Sequence, residues 1–225
     1  MEYVAYGTNK EVFESRFTDP DLGEVRLAGE AESLYTEFKP ILLNLAGRLD
    51  LKQIGQGSEA EAFSWNWNHI PLVIRRIYQD EDYLSALYTH TALNILHSHG
   101  LRTAFSLVAT DKLLIQEGAP LSLETLTRFM GNPKIDSGER ERIIGLMRQT
   151  QRLAESILYK AGKIIGTDNF VVDLLESEPD PISGPMLKGD NYLVGNPGTE
   201  DLGLIVIDPI RQGSRGILKR LQYLF

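Results

Sequence analysis

The order in which strand-like and helix-like segments follow one another is the feature that most limits the folds open to this sequence. "LDLKQIGQG" and "EAFSWNWNHIPLVIRRIY" alternate apolar and β-favouring residues around Gly and Asn-His turns, which predicts two or three antiparallel strands. "DEDYLSALYTHTALNILHSHG" begins with acidic residues, keeps helical apolar spacing and ends at Gly100, which predicts a helix. "FSLVAT" and "KLLIQE" predict another strand pair. These segments together predict a small antiparallel sheet that holds one helix.

The second half of the sequence has a different pattern. "SLETLTRFM" and "SGERERIIGLMRQTQRLAESILYKAG" predict helices, the second ending at Gly162. "KIIG", "NFVVDLL", "NYLVG" and "LIVID" predict short strands. We therefore expect a helical half that ends in β-hairpins.

The first 46 residues add a further region. Residues 1–29 mix charge, Gly and Pro without a clear period, and we interpret them as an arm. Leu34, Phe38 and Ile41 have helical spacing in the segment that follows, with Pro40 placed to kink that helix. The expected division is an arm and helix over 1–46, a sheet lobe over 47–118 and a helical lobe over 119–225.

Composition excludes several classes of protein. The 225 residues include 31 acidic and 23 basic side chains, a net charge of −8 that opposes general binding to nucleic acid or anionic membrane. No uncharged apolar run is long enough to span a bilayer, and no leader pattern opens the sequence. The absence of Cys excludes disulfides, thiolate zinc sites and Cys nucleophiles. We expect a cytoplasmic protein whose partner is a protein, with neither nucleic acid nor membrane.

Three short stretches in the predicted sheet lobe carry candidate binding groups. Gly55 and Gly57 lie in a turn where backbone N–H groups could approach a phosphate, although a hairpin turn explains them as well. Arg75 ends an apolar strand, where arginines are usually solvated. The strand "KLLIQE" stops at Glu117, and the link to Ala119 has backbone groups that could bond an adenine edge.

Two predicted strands end on a carboxylate. Asp168 follows "KIIGT" and Asp208 follows "LIVI". Carboxylates at such strand ends point into a common cleft and suit Mg²⁺, which prefers oxygen ligands. For each Asp taken singly, a simple turn is the competing explanation.

In order and spacing, these pieces together resemble the protein-kinase-like superfamily over roughly residues 47–212. The resemblance implies an α+β, two-lobed protein-kinase-like fold with a small antiparallel-sheet N-lobe and a truncated helical C-lobe. Asp-Pro in "VIDPI", where the family usually has Asp-Phe-Gly, is similar to compact kinase-like proteins of phages and mobile elements.

The resemblance also implies roles for single residues, with ATP and Mg²⁺ as cofactors. Asp168 would be the catalytic base, Asp208 the metal ligand, and Gln116 the gatekeeper that precedes the hinge. The implied nucleotide-binding residues are Gly55, Gly57, Ser58, Arg75, Glu117 and Ala119.

Several positions depart from the family pattern. The metal-binding Asn that should follow the catalytic Asp by five residues is Asp173, and the alternative is Asn191, which requires a long insertion in the loop. We expect Asp173, because it requires no insertion. Arg75 replaces a lysine, and a planar guanidinium positions phosphates differently from an ammonium. The helix after that strand has Ala92, beside His90 and Thr91, where a Glu is expected.

Two functions of different class follow. The first is an ATP- and Mg²⁺-dependent phosphotransferase acting on a protein Ser or Thr hydroxyl. The second is a pseudokinase, in which the same cleft is a nucleotide-binding or protein-interaction module. The missing Lys and Glu favour the second, whereas Asp168, Asp173 and Asp208 favour the first.

Two other clusters are better explained by packing than by a ligand. His90 and His97 share a helix face but have no carboxylate nearby in sequence, so we expect core or surface histidines. Trp65 and Trp67 lie on one side of a strand, where we expect them to pack within the small lobe.

Overall fold

The computed structural model describes residues 2–5, 12–29, 32–45, 51–56, 60–78, 85–118, 124–165, 171–172, 174 and 189–211. Within these ranges an eight-stranded sheet has the order β1-β2-β3-β7-β8-β6-β5-β4, and every neighbouring pair is antiparallel. Its strands are β1 (Glu2–Ala5), β2 (Val12–Asp19), β3 (Gly23–Ala28), β4 (Lys52–Gln56), β5 (Ala60–Trp67), β6 (Ile70–Ile77), β7 (Ser106–Thr110) and β8 (Leu113–Glu117).

The helices lie on both faces of this sheet. They are α1 (Glu32–Leu43), α2 (Ser85–Ser98), α3 (Leu126–Gly131) and α4 (Ser137–Ile165). Strand β8 shows how the faces divide, because Leu113 and Ile115 pack in one apolar cluster and Leu114 in the other. The first cluster lies under α1, and the second contains α2 and continues into α4 and the last strands. None of the helices in the described ranges is long and apolar enough to cross a membrane.

The small sheet has the predicted form. Strands β4, β5, β6, β8 and β7 are neighbours in that order, and α2 lies between β6 and β7 along the chain. Phe38 of α1 packs edge-on against both tryptophans, with ring centroids 5.6 Å from Trp65 and 5.1 Å from Trp67. The packing interpretation of the tryptophan pair is therefore confirmed.

The segment interpreted as an arm contains three strands that sequence reasoning missed. Strands β1, β2 and β3 form a meander that extends the sheet by pairing β3 with β7. Their period was hidden because the face toward α2 is polar: Glu14, Arg16 and Arg26 alternate with residues such as Val25 and Leu27 on the α1 side. The helix that follows, α1, is confirmed and includes Pro40.

The second half contains two small β units beside α3 and α4. Strand β11 (Tyr192–Gly195) pairs with β12 (Gly203–Val206) and with β9 (Glu124–Thr125), and β10 (Val171–Val172) pairs with β13 (Ile210–Arg211). The strand predicted at "KIIG" is wrong, because α4 continues to Ile165. Gly162 does not end the helix, and Ala154, Leu158 and Ala161 are buried at helical spacing up to the residue before it.

The architecture is the expected α+β one. A small antiparallel sheet carries one inserted helix, and a helical half follows that ends in the β11–β12 hairpin. The fold class is thus confirmed, with a β-meander added at the start.

Candidate active site

An ion pair joins the sheet to the end of β12. Arg75 on β6 donates from Nη2 to Oδ2 of Asp208 over 2.7 Å, and from Nη1 to the carbonyl of Ile207 over 3.1 Å. Both side chains are largely buried, at 15% and 26% exposed. Two residues 133 positions apart, predicted to share a cleft, therefore lie in contact.

Strand register identifies the sheet face that carries Arg75. Ala62 lies opposite Arg75, and Gln116 lies opposite Val73, so these four side chains share one face. Leu72 and Ile74 belong to the opposite face, where they pack under α1. We refer to the face of Ala62, Val73, Arg75 and Gln116 as the cleft face.

Gly55 is the one predicted loop residue among the described ones. Gly55 lies on β4, opposite Ala62 of β5. A Cβ at Gly55 would lie 4.0 Å from the Ala62 Cβ, which is an ordinary van der Waals contact. Packing against β5 therefore does not require glycine here. Gly57 and Ser58 lie outside the described residues, and their role in phosphate binding stays a prediction.

The link after β8 is held by backbone hydrogen bonds. Glu117 N–H donates to the Phe105 carbonyl and Gly118 N–H to the Pro71 carbonyl, each over 2.8 Å. A Cβ at Gly118 would lie 2.8 Å from that Pro71 oxygen, so only glycine allows this approach. The adenine contacts predicted for Glu117 and Ala119 stay predictions, since Ala119 lies outside the described residues.

Asn191 lies beside the segment that carries Asp208. It ends a 3₁₀ turn, Gly189–Asn191, immediately before β11, and its carbonyl accepts a hydrogen bond from Ile207 N–H over 3.0 Å. This contact places Asn191 one residue from Asp208 across the hairpin. The choice between Asp173 and Asn191 as the second metal ligand stays a prediction.

Asp168 and Asp173 lie outside the described residues, but the residues on either side of Asp173 are described. Val172 pairs with Ile210, two residues after Asp208, and the Leu174 carbonyl accepts a hydrogen bond from Tyr192 Oη over 3.2 Å. The residues on both sides of position 173 are therefore tied to the segments that carry Asp208 and Asn191. Asp168 has no such described neighbours, and residues 163–165 of the strand predicted before it belong to α4.

The residues at this corner fit a magnesium ion. Asp208 and Asn191 offer oxygen donors, and Mg²⁺ is commonly held by one or two carboxylates together with substrate phosphates and water. No cluster of three His, Cys, Asp or Glu side chains occurs among the residues that the structure describes. A fully protein-made metal cage is therefore not present in that part of the chain, whereas a shared metal–phosphate site is compatible with it.

Helix α2 carries no acidic partner for Arg75. Its sequence from Ser85 to Ser98 has no Asp or Glu, and Ala92, predicted at the inward position, is fully buried. Asp208 is thus the carboxylate that pairs with Arg75 in the described structure.

A buried polar network that the sequence did not reveal connects α2 to strands β2, β3 and β7. Thr91 Oγ1 donates to Glu14 Oε2 over 2.5 Å and accepts from Arg26 Nη1 over 2.9 Å. His90 is fully buried, with Nδ1 2.7 Å from Ser106 Oγ. Burial lowers the pKa of His90 to about 4, so the ring is neutral at pH 7 and His90 is a core histidine, as predicted.

No family model matches the sequence, and no curated protein matches it. Among solved structures, the chain is similar to WaaP in complex with acyl carrier protein, with 12% identity, a TM-score of 0.46, and coverage of 84% of this chain and 73% of that one. It is also similar to the Rio2 kinase–ADP/Mg²⁺–phosphoaspartate complex from Chaetomium thermophilum, with 11% identity, a TM-score of 0.45, and coverage of 87% of this chain and 57% of that one. Likenesses at this level transfer no activity, ligand or partner.

Proposed function

We propose that this protein binds ATP and Mg²⁺ between its sheet and its helical half and transfers a phosphoryl group to a protein Ser or Thr hydroxyl. The observation that carries the proposal is the contact between Arg75 and Asp208. Phosphoryl transfer needs a cation that positions the phosphates and a carboxylate that holds the metal. The nature of the acceptor rests on the family resemblance alone.

The nucleotide would lie along the cleft face. Arg75 would position its phosphates through a planar fork of N–H donors, and Asp208 with Asn191 would hold Mg²⁺. The metal, when bound, supplies positive charge that offsets the charge of the phosphates. The residues proposed to cover the phosphates or border the base are Gly55, Gly57, Ser58, Glu117 and Ala119.

Asp173 is our candidate for the general base. Its neighbours Val172 and Leu174 are tied to the segments of Asp208 and Asn191, whereas Asp168 follows the end of α4 by three residues. In the proposed step the acceptor oxygen forms a bond to the γ-phosphorus, and the bond from that phosphorus to the bridging oxygen of ADP breaks. The hydroxyl proton passes to the Asp173 carboxylate.

A pseudokinase is the second candidate, and one observation favours it. Arg75 is bonded to Asp208 directly, and α2 supplies no carboxylate to draw the guanidinium away. A metal approaching Asp208 must therefore compete with a cation already in contact with it. In this alternative the cleft binds nucleotide or a protein without transferring phosphate.

Nucleotide titration and a transfer assay separate the two candidates. We expect wild type to bind ATP with Mg²⁺ at micromolar Kd, and Asp208→Asn to lose the magnesium-dependent part of that affinity. Asp201→Asn, on the exposed β11–β12 turn, is the matched control and should bind as wild type does. If wild type shows no magnesium-dependent binding of ATP, the proposed phosphotransferase function is excluded.

Phosphate transfer from radiolabelled ATP to a mixed peptide library then tests the base. We expect Asp173→Asn to lower the rate at least 100-fold, a typical contribution of general-base catalysis being 10²–10⁴. Asp168→Asn should retain most of the activity. The reverse result would return the base role to Asp168, and ATP binding without any transfer would favour the pseudokinase.

A further inference from the structure

Gln116 has a buried acceptor that no described residue uses. Its side chain is 3% exposed, and within the described residues Oε1 has no hydrogen-bond partner. Burying an amide oxygen without a donor costs about 1–3 kcal/mol, so native proteins rarely leave one unpaired. The position of Gln116 therefore needs an explanation.

Neighbouring polar groups have partners of their own. Ser106 lies opposite Gln116, and its hydroxyl is paired with His90 while its N–H donates to Asn94 Oδ1 over 3.2 Å. The amide nitrogen of Asn94 lies 3.2 Å from the other ring nitrogen of His90. These hydrogen bonds link Ser106, His90 and Asn94 to one another without Gln116.

The strand geometry places Gln116 at one end of the proposed nucleotide site. It shares the cleft face with Val73 and Arg75, and it directly precedes the Glu117–Gly118 link. Val73 and Arg75 are two residues apart, which is roughly 7 Å along a strand. A nucleotide with its phosphates at Arg75 can therefore bring its base beside Val73 and Gln116.

We infer that Gln116 Oε1 accepts a hydrogen bond from the exocyclic amino group of the bound purine and so selects adenine over a 6-oxo purine. This inference rests on the proposed nucleotide binding and adds a residue that determines specificity. A 6-oxo base presents an acceptor to an acceptor, and the buried oxygen of Gln116 then stays unpaired. Sites that hydrogen-bond a substrate group discriminate strongly against analogues that lack it.

Isothermal titration of ATP and ITP in the presence of Mg²⁺ tests this inference. The two nucleotides differ at position 6 of the purine, where ATP has an amino group and ITP an oxo group. We expect wild type to bind ATP about tenfold more tightly than ITP, the effect of one such hydrogen bond. Gln116→Met, of similar length but without the amide, should lower ATP affinity and reduce the preference to less than about twofold.

A matched control is available on α4. Gln151 also has a buried Oε1 without a partner in the described residues, but its Nε2 donates to Glu155 over 2.7 Å on that helix. Gln151→Met should leave both affinities unchanged, and circular dichroism checks the folding of each variant.

The possible failures are distinguishable. Wild type that binds neither nucleotide overturns the proposed function and this inference with it. Equal affinity for ATP and ITP, or a preference for ITP, overturns the inference alone, and that comparison needs no variant. Equal weakening of both nucleotides in Gln116→Met shows a packing role and likewise overturns it.

Discussion

Arg75 shows how one residue can join the sheet to the segment that follows β12. Its guanidinium reaches both the Asp208 carboxylate and the Ile207 carbonyl, a two-point contact that uses two of its five N–H donors. A lysine ammonium at this position would keep the charge but present a single point of contact. The positive charge at this position should matter for nucleotide affinity, because the same group is proposed to bind phosphates.

We expect Arg75→Met to weaken Mg²⁺–ATP binding at least tenfold, because the phosphates lose their cation, while Arg75→Lys stays within about threefold of wild type. Titration calorimetry measures both. Lys112→Met, an exposed cation at the β7–β8 turn, is the control for loss of one positive charge. Unchanged affinity in Arg75→Met would remove Arg75 from the phosphate site.

His90 makes stability depend on pH. Burial holds its pKa at about 4, below the ordinary value of 6.5, against the opposing effect of Glu14 on β2 and with the help of Arg26 on β3 and Arg16 on β2. The unfolded chain therefore binds a proton between pH 6.5 and 4 that the folded chain does not. Stability should fall as the pH is lowered through this window, by up to about 3 kcal/mol.

Urea unfolding at pH 7 and near pH 4.5 measures this loss. The comparison variant is His90→Gln, which keeps an amide that can bond Ser106 and does not titrate. We expect the pH dependence to be smaller in the variant by the His90 contribution. The same pH dependence in both proteins would show that other groups cause it.

At the scale of elements, the β2–β3 hairpin fixes the position of α2. Glu14 is fully buried and contacts Arg16, Arg26 and Thr91. Helix α2 has no acidic side chain of its own, and the Glu14 carboxylate of β2 bonds to it instead. The N-terminal strands therefore help to position α2.

We expect Glu14→Ala to destabilise the protein by about 3 kcal/mol, because it leaves the buried guanidinium of Arg26 short of one carboxylate. Glu24 also pairs with Arg26 over 2.8 Å but is 40% exposed, so Glu24→Ala should cost less than about 1 kcal/mol. Equilibrium unfolding in urea compares the two variants. Equal effects would contradict a special role for the buried member of the pair.

The same elements show what the sequence could predict. Strands β5, β6 and β8 were predictable because their sequences are rich in apolar and β-favouring residues, although Glu61 and Gln116 are buried among them. Strands β2 and β3 were not, because Glu14 and Arg26 are buried as mutual partners, and pairing leaves no hydrophobic signal. The end of α4 was misplaced because Gly162 usually stops a helix, yet its cost of about 1 kcal/mol is small beside the packing of a long amphipathic helix.

For the candidate site, the resemblance implied that Arg75 and Asp208 belong to one site, and the structure places the two side chains in contact. The choice between Asp173 and Asn191 could not be made from spacing, because a loop of any length can precede β11. The hydrogen bond from Ile207 to Asn191 depends on the pairing of β11 with β12, which only the folded backbone reveals. Likewise, the sequence does not show that Gln116 Oε1 lacks a partner among the described residues, because only the folded structure shows that the Ser106 hydroxyl is paired with His90.

At the scale of the whole molecule, backbone hydrogen bonds and one apolar cluster join the sheet half to the helical half. The Ala104 N–H donates to the Val206 carbonyl over 2.9 Å, and the Val206 N–H donates to the Arg102 carbonyl over 3.0 Å. The apolar cluster under α2 also extends from Leu114 of the sheet to Met147 of α4. We therefore expect both halves to unfold in one cooperative transition, although the proposed nucleotide cleft lies between them.

The two tryptophans make this testable, since Trp65 and Trp67 both lie in the sheet, on the side of α1. Met147→Ala removes a fully buried side chain from α4 and should cost about 2–5 kcal/mol. If the halves are coupled, the urea midpoint falls equally by tryptophan fluorescence and by far-ultraviolet circular dichroism. A fluorescence midpoint that stays at its wild-type value while the dichroism midpoint falls would mean that the sheet unfolds independently of α4. The contacts of Arg102 and Ala104 with Val206 would then be too weak to transmit the loss from one half to the other.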